Sequence, residues 1–194
     1  MQIGFDAKRA FNNFTGLGNY SRTLIETLAH FYPENTYHLF TPNLNTNPRI
    51  AAFSKNPSLK IHTPSFPFNK ISPLWRSYFI NKDILSSGVQ IFHGLSHELP
   101  IGLSKKIKQV VTVHDLIQER YPQYYTAIDR KIFTLKLKQA CHQADIIVAI
   151  SEQTKRDIIE FLKIDAEKIQ VIYQSCHQQF MDNGRWTMDS FLKL

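Results

Sequence analysis

The chain has 194 residues, enough for one domain with a substantial core, and 43% of them are apolar against 20% charged. That balance, with only 7 glycines and 9 prolines, excludes disordered, low-complexity and collagen-like chains, and 2 cysteines exclude a disulfide framework or a four-thiolate metal site. A formal charge of +7, from 23 Lys and Arg against 16 Asp and Glu, favours anionic partners: phosphates, nucleotides, nucleic acid or an acidic membrane surface. The charge is scattered. Its densest clusters, Lys105-Lys106 with Lys108 and Arg130, Lys131, Lys136 and Lys138, read as solvated faces. No apolar run approaches the ~18 residues that span a bilayer. Met1 to Asp6 carries neither the basic nor the long apolar region of a signal peptide. A reducing, cytosolic setting is the expectation.

Short apolar runs alternate with segments of helical period, the pattern of a parallel sheet with crossover helices. Residues 2–6 read as the first strand. A helix follows over 19–31, with Tyr20, Leu24, Leu28 and Phe31 on one stripe and Pro33 closing it. Residues 36–41 are the second strand, rich in aromatic and β-branched side chains. The Asn- and Pro-rich stretch 42–58 reads as loop with one helical turn at 50–53. A third strand at 59–63, a helix over 74–85 and a fourth strand at 89–93 come next. Residues 109–114 make the fifth strand, 127–143 a long helix and 145–150 the sixth strand. Ser151 stands where an N-cap belongs, before a helix through Leu162, and 169–173 is the last strand. The reading is one α/β domain over 1–180, a Rossmann-like, doubly wound, mostly parallel sheet, with a non-matching tail at 181–194.

Ligands of such sheets bind beyond the carboxyl ends of the strands, so the residues after each strand are the candidates. Gly16-Leu17-Gly18 precedes the first long helix, and its glycines would let a backbone approach a phosphate there. The third glycine of a dinucleotide fingerprint is missing, and an ordinary helix-entry loop explains the segment equally well. After the fourth strand, His93, Ser96 and His97 present polar groups suited to a hydroxyl-rich ligand. The four-residue spacing of the histidines suits a metal only on a helix, which Gly94 and Pro100 oppose. His114 ends the fifth strand, where an imidazole can exchange a proton with a sugar hydroxyl or phosphate. Ser151, Lys155 and Arg156 suit an anion at the last helix, although capping alone accounts for Ser151. Trp75 to Phe79 mixes aromatics with Arg76, fit for lipid headgroups or for a helix with one buried face. Cys141-His142 and Cys176-His177 are simpler as helix and loop residues than as halves of a metal site.

Several segments together resemble the N-terminal domain of family 4 retaining glycosyltransferases of the GT-B fold. Ile3 to Arg9 with Thr15 to Arg22 resembles the family's first strand, Gly-rich loop and first helix. Phe92 to Pro100 resembles its fourth-strand loop, and Val111 to Ile117 with Arg120-Tyr121-Pro122 its hydrophobic strand ending in His-Asp-Leu. Ala144 to Asp157 and Lys168 to Phe180 resemble the segments that lead to the interdomain cleft and end the domain. The resemblance implies transfer of a sugar from a nucleotide-sugar, with retention, to a glycan or lipid-linked acceptor. It implies Gly16, Leu17 and Gly18 near the donor diphosphate, His114 at the donor sugar, and His93, Ser96 and His97 at the acceptor. No metal or other cofactor is expected, so the leaving diphosphate would rely on backbone donors and cations.

The family's second domain, which binds the nucleotide, has no counterpart after Phe180, so the sequence reads as a half that is inactive alone. A missing C-terminal domain, or self-association through the face that it would cover, is the expected protein partner. A basic chain of this family also suits peripheral contact with the inner face of a membrane. The alternative is a non-catalytic carbohydrate- or partner-binding module that kept the fold. Nucleic-acid binding has only the net charge in its favour and no recognition motif.

Overall fold

The structure, a computed structural model, describes residues 1–45, 47–65 and 71–175. The expectations that fall on the turn at Cys176 to Phe180 and on the tail after it lie outside those residues. Seven strands form one parallel sheet in the order β3-β2-β1-β4-β5-β6-β7. They are β1 (Gln2–Asp6), β2 (Thr36–Phe40), β3 (Leu59–His62), β4 (Ile91–Gly94), β5 (Lys108–Val113), β6 (Ile146–Ala149) and β7 (Ile169–Val171). The chain winds outward from β1 to β3, then returns to pair β4 with the other edge of β1, in register Phe5 with His93 and Asp6 with Gly94. The order reverses between β1 and β4, and the carboxyl ends of these strands open the crevice of a doubly wound sheet there.

The helices are α1 (Lys8–Asn12), α2 (Gly16–Phe31), α3 (Pro48–Ser54), α4 (Ser72–Leu74), α5 (Ile80–Ser86), α6 (Ile117–Arg120), α7 (Ala127–Gln143) and α8 (Glu152–Leu162). A π-helical turn, Trp75–Phe79, joins α4 to α5. Alternation along the strands gives the sheet two cores. Phe5, Tyr37 and Leu39 pack with Phe11, Ile25 and Ala29 of α1 and α2. On the other face, Phe92, Val111, Val113 and Ile147 pack with Trp75, Ile84, Leu137, Cys141 and Ile158.

α2 begins three residues earlier than its apolar stripe indicates, because Asn13 supplies the start. The Asn13 Oδ1 atom accepts the backbone N–H groups of Thr15 and Gly18, both at 3.0 Å. Gly18 lies so near that segment that a Cβ would sit 1.8 Å from the Asn13 carbonyl oxygen. At the other end the Tyr37 hydroxyl reaches the carbonyls of Leu28 and Tyr32, at 2.7 and 2.9 Å, which also accept the backbone N–H groups of Tyr32 and Asn35. α8 starts as its sequence indicates, with Ser151 Oγ accepting Thr154 N–H at 3.1 Å, and ends on Lys163 in the left-handed conformation, φ 57°. α7 is capped by Thr126 Oγ1, which accepts Asp129 N–H at 3.1 Å.

Candidate active site at the strand switch point

β4 and β5 carry three histidines to the crevice, and each is held differently. His114, just past β5, has Nε2 at 2.9 Å from the Leu95 carbonyl and Nδ1 at 2.9 Å from Nε2 of Gln174. A carbonyl only accepts and an amide nitrogen only donates, so the ring is the neutral tautomer with its hydrogen on Nε2. Burial pushes its pKa below the ordinary histidine value; the Leu95 carbonyl and Asp115 act against that, and the Arg9 charge adds to it. The Tyr20 ring stands edge-on to the imidazole, with centroids 4.8 Å apart and planes at 89°. Thr154 Oγ1 donates to the His114 carbonyl at 3.0 Å, which ties the strand end to α8.

Thr112, two residues back on β5, holds the second histidine. Its hydroxyl lies 2.9 Å from His93 Nε2 and 3.1 Å from the Tyr20 hydroxyl, so β4, β5 and α2 meet at one buried oxygen. Burial lowers His93 to about 4. The same burial raises Tyr20, although the bond to Thr112 opposes the rise.

His97 is placed by its backbone. Its φ is 64°, its N–H donates to the Thr112 carbonyl at 2.9 Å, and its ring lies 5.4 Å from that of His114. Burial lowers it to about 4, helped by His114 and Arg9 and opposed by Asp115 and Glu98. The turn that makes this possible needs Gly94, where a Cβ would lie 2.0 Å from the Glu98 carbonyl oxygen. Ser96 is buried in the same turn. Among the described residues no three His, Cys, Asp or Glu side chains cluster as a metal site.

Gly16, Leu17 and Gly18 form the first turn of α2 rather than the loop before it. Asn13 already occupies the Gly18 N–H, so the helix start offers the N–H groups of Gly16 and Leu17 to a ligand. Ser151 stands close to the end of β5, its Oγ 3.0 Å from Thr154 Oγ1, which donates to the His114 carbonyl. Ser151 caps α8, Lys155 Nζ donates to the Ile169 carbonyl at 3.1 Å, and exposed Arg156 donates to Gln153 Oε1 at 2.8 Å.

Arg76 turns away from solvent rather than toward a headgroup. It binds Asp6 at the end of β1, at 2.7 Å, and Glu98 in the β4 turn, at 2.5 Å, and so clamps the two strand ends that border the crevice. Those carboxylates raise the guanidinium pKa against the effect of its burial.

Two residues of this arrangement, Thr112 and Gln174, do not stand out in the sequence, while Tyr20 reads there only as part of an apolar stripe and Arg76 only as a cation among aromatics. Thr112 leaves a trace, as the one hydroxyl inside Val110-Val111-Thr112-Val113. Gln174 leaves none, since it meets His114 only because β7 lies two strands from β5.

The sequence model described as Glycosyltransferase Family 4 matches residues 14–176. No curated protein matches the sequence. Among solved structures, a glycosyltransferase from Rickettsia africae ESF-5 superposes with a TM-score of 0.56 at 16% identity, covering 99% of this chain and 48% of that one. Anabaena Alr3699/HepE, in complex with UDP, gives 0.54 at 11% identity over 92% of this chain and 44% of that one. The wall teichoic acid polymerase TagF gives 0.53 at 14% identity, with 89% and 38% covered. These likenesses are of fold, and the chain spans less than half the length of each.

Proposed function

Because the chain belongs to glycosyltransferase family 4, we propose that it forms the acceptor-side half of an enzyme that transfers a sugar, with retention, from a nucleotide-sugar to a glycan or lipid-linked acceptor. The fold is the Rossmann-like half of the GT-B architecture. The observation that carries the reading is the His114 ring, a neutral tautomer beyond the end of β5 whose acceptor atom Nδ1 is held by the Gln174 amide. An approaching donor sugar displaces the Gln174 amide, and a sugar hydroxyl donates to Nδ1 in its place. A neutral, hydrogen-bonded imidazole orients that hydroxyl without repelling positive charge that develops on the sugar.

The leaving diphosphate lies at the start of α2. The Gly16 and Leu17 N–H groups donate to it, the helix dipole favours its negative charge, and Arg9 adds a cation whose field already reaches His97 and His114. No metal ion takes part in this scheme. His93, Ser96 and His97 line the acceptor side, and Arg76 holds the walls of the crevice at a fixed spacing. In the whole enzyme the second domain of the GT-B architecture holds the nucleotide. UDP is the first nucleotide to try, since the Anabaena neighbour is solved with it.

The test is transfer from UDP-sugars to a panel of oligosaccharide and prenyl-phosphate acceptors, with a family 4 nucleotide-binding domain supplied in trans or by fusion. Transfer should depend on His114, with His114→Ala lowering the rate about 100-fold, the scale of one lost transition-state contact. Acceptor binding with no transfer in any pairing would instead assign the chain as a carbohydrate-binding module.

A further inference from the structure

Thr112 supports two of the three crevice histidines directly. Its side chain is fully buried, in a strand where Val111 and Val113 stand on either side of it. A valine at 112 would fill nearly the same space with no polar atom to satisfy, so what the hydroxyl adds is its bonds. It makes two, to His93 Nε2 at 2.9 Å and to the Tyr20 hydroxyl at 3.1 Å. The Thr112 carbonyl makes a third, accepting the His97 N–H at 2.9 Å. One residue thus fixes the ring of His93 and the backbone of His97.

His114 is reached through Tyr20. The Tyr20 ring is half-buried on α2 and meets the imidazole edge-on, with centroids 4.8 Å apart. Such a contact has a preferred geometry, because the positive edge of one ring faces the negative face of the other. The bond from the Tyr20 hydroxyl to Thr112 decides where that ring stands, and so how the imidazole is supported. The surroundings are apolar: the Phe5 ring packs 5.9 Å from that of His93. There a hydrogen bond is stronger than in water, and linked bonds reinforce one another. The Thr112 hydroxyl therefore joins the side of the crevice that carries His93 to the side that carries His114.

We propose that Thr112 and Tyr20 are positioning residues of the crevice: the Thr112 hydroxyl sets the His93 ring and, through the Tyr20 ring, the plane of His114, so that the two sides of the site are held in one geometry. Neither residue needs to touch a substrate. The part that this plays in sugar transfer rests on the function proposed above, whereas the coupling of the two imidazoles does not. The two can therefore fail separately.

The experiment reads the ring nitrogens of ¹⁵N-labelled histidines in the 194-residue chain by NMR, first without ligand and then with UDP. Thr112→Val should shift the ring signals of His93 and of His114 alike, although Thr112 has no contact with the His114 ring. Thr112→Ser keeps the hydroxyl and should restore the unsubstituted pattern. Tyr20→Phe keeps the ring, cuts only its tie to Thr112, and should shift His114 as well; it gives the same reading where valine weakens the fold. In Thr112→Val, UDP should bind about two- to ten-fold more weakly, the worth of one hydrogen bond, and Thr112→Ser should regain the loss. Melting temperatures separate loss of fold from loss of position. A Thr112→Val chain that melts lower but keeps the His114 signals in place would overturn the proposal and leave the hydroxyl a part of the core alone. So would a folded Thr112→Ser chain that behaves as the valine variant does. If UDP moves nothing in the unsubstituted chain, the sugar-nucleotide reading fails, and the ring signals still decide the positioning.

Discussion

Two glycines in one helical turn should respond oppositely to the same substitution. At Gly18 a new Cβ would stand 1.8 Å from the Asn13 carbonyl oxygen, 2.6 Å from its carbon and 3.0 Å from the Arg9 carbonyl oxygen. All three are backbone atoms, so Gly18→Ala must displace the segment between α1 and α2 by more than an ångström. Overpacking of that kind costs about 1–3 kcal/mol. Displacing Asn13 loosens its bonds to Thr15 and Gly18, which costs about 1 kcal/mol more. The higher helix propensity of alanine offsets about 1 kcal/mol, leaving a net loss of about 1–3 kcal/mol. For a chain of this length that is a fall of about 2–12 °C in melting temperature. At Gly16 nothing lies within 4 Å of the new Cβ, so Gly16→Ala should be neutral or stabilising by up to about 1 kcal/mol. Thermal unfolding followed by circular dichroism at 222 nm measures both. Equal shifts for the two variants, or a stable Gly18→Ala, would refute the placement of Asn13 against the helix start and of the Gly16 and Leu17 donors that it leaves free.

Three more outcomes follow from the same geometry. Arg76→Leu leaves Asp6 and Glu98 facing each other without their cation, at side-chain exposures of 7% and 30%. Urea unfolding should show a loss of about 3 kcal/mol, part of it regained when Asp6→Leu is added; no loss would mean that the clamp does not form. Acid should weaken the fold through the crevice. His93 and His97 have folded pKa values of about 4 against 6.5 when unfolded, so their contribution is complete above 6.5 and is lost as pH falls toward 4. The urea midpoint should drop across that interval, by at most about 1.4 kcal/mol per pH unit for each histidine, and His93→Gln should flatten the slope; a midpoint independent of pH would contradict it. Lys163→Gly relieves a left-handed backbone, φ 57°, at the end of α8, and should raise the melting temperature by about 2–4 °C.

The sheet was legible because parallel strands buried on both faces appear as short runs such as Val110-Val111-Thr112-Val113 and Ile146-Ile147-Val148-Ala149-Ile150, bounded by polar residues. β2, β3, β6 and β7 are shorter than expected; at β7 the paired residues end at Val171, although the Ile172 N–H still donates to the Ala149 carbonyl at 2.9 Å. α1 and α6 were not foreseen, since five and four residues hold too little period to register and neither has a side-chain cap. The start of α2 was misplaced because Gly16 and Gly18 read as breakers, while the cap that overrides them comes from Asn13, outside the helix. The site divides in the same way. His93, His97 and His114 announce themselves by standing at strand ends. Tyr20, Thr112 and Arg76 acquire their roles only when β1, β4 and β5 lie side by side, and Gln174 only when β7 joins the sheet through β6, adjacencies that no local pattern encodes.

The most direct test of the crevice as a sugar-nucleotide site is a titration of the ¹⁵N-labelled chain with UDP, followed by amide chemical shifts up to about 10 mM, where weak binding by half of a site remains visible. The account predicts that Gly16 and Leu17 move, together with the His114 ring and the Gln174 side-chain amide, and that Arg9→Ala weakens the response. Shifts confined to the start of α8 around Lys155 and Arg156, or no shifts at all, would contradict it.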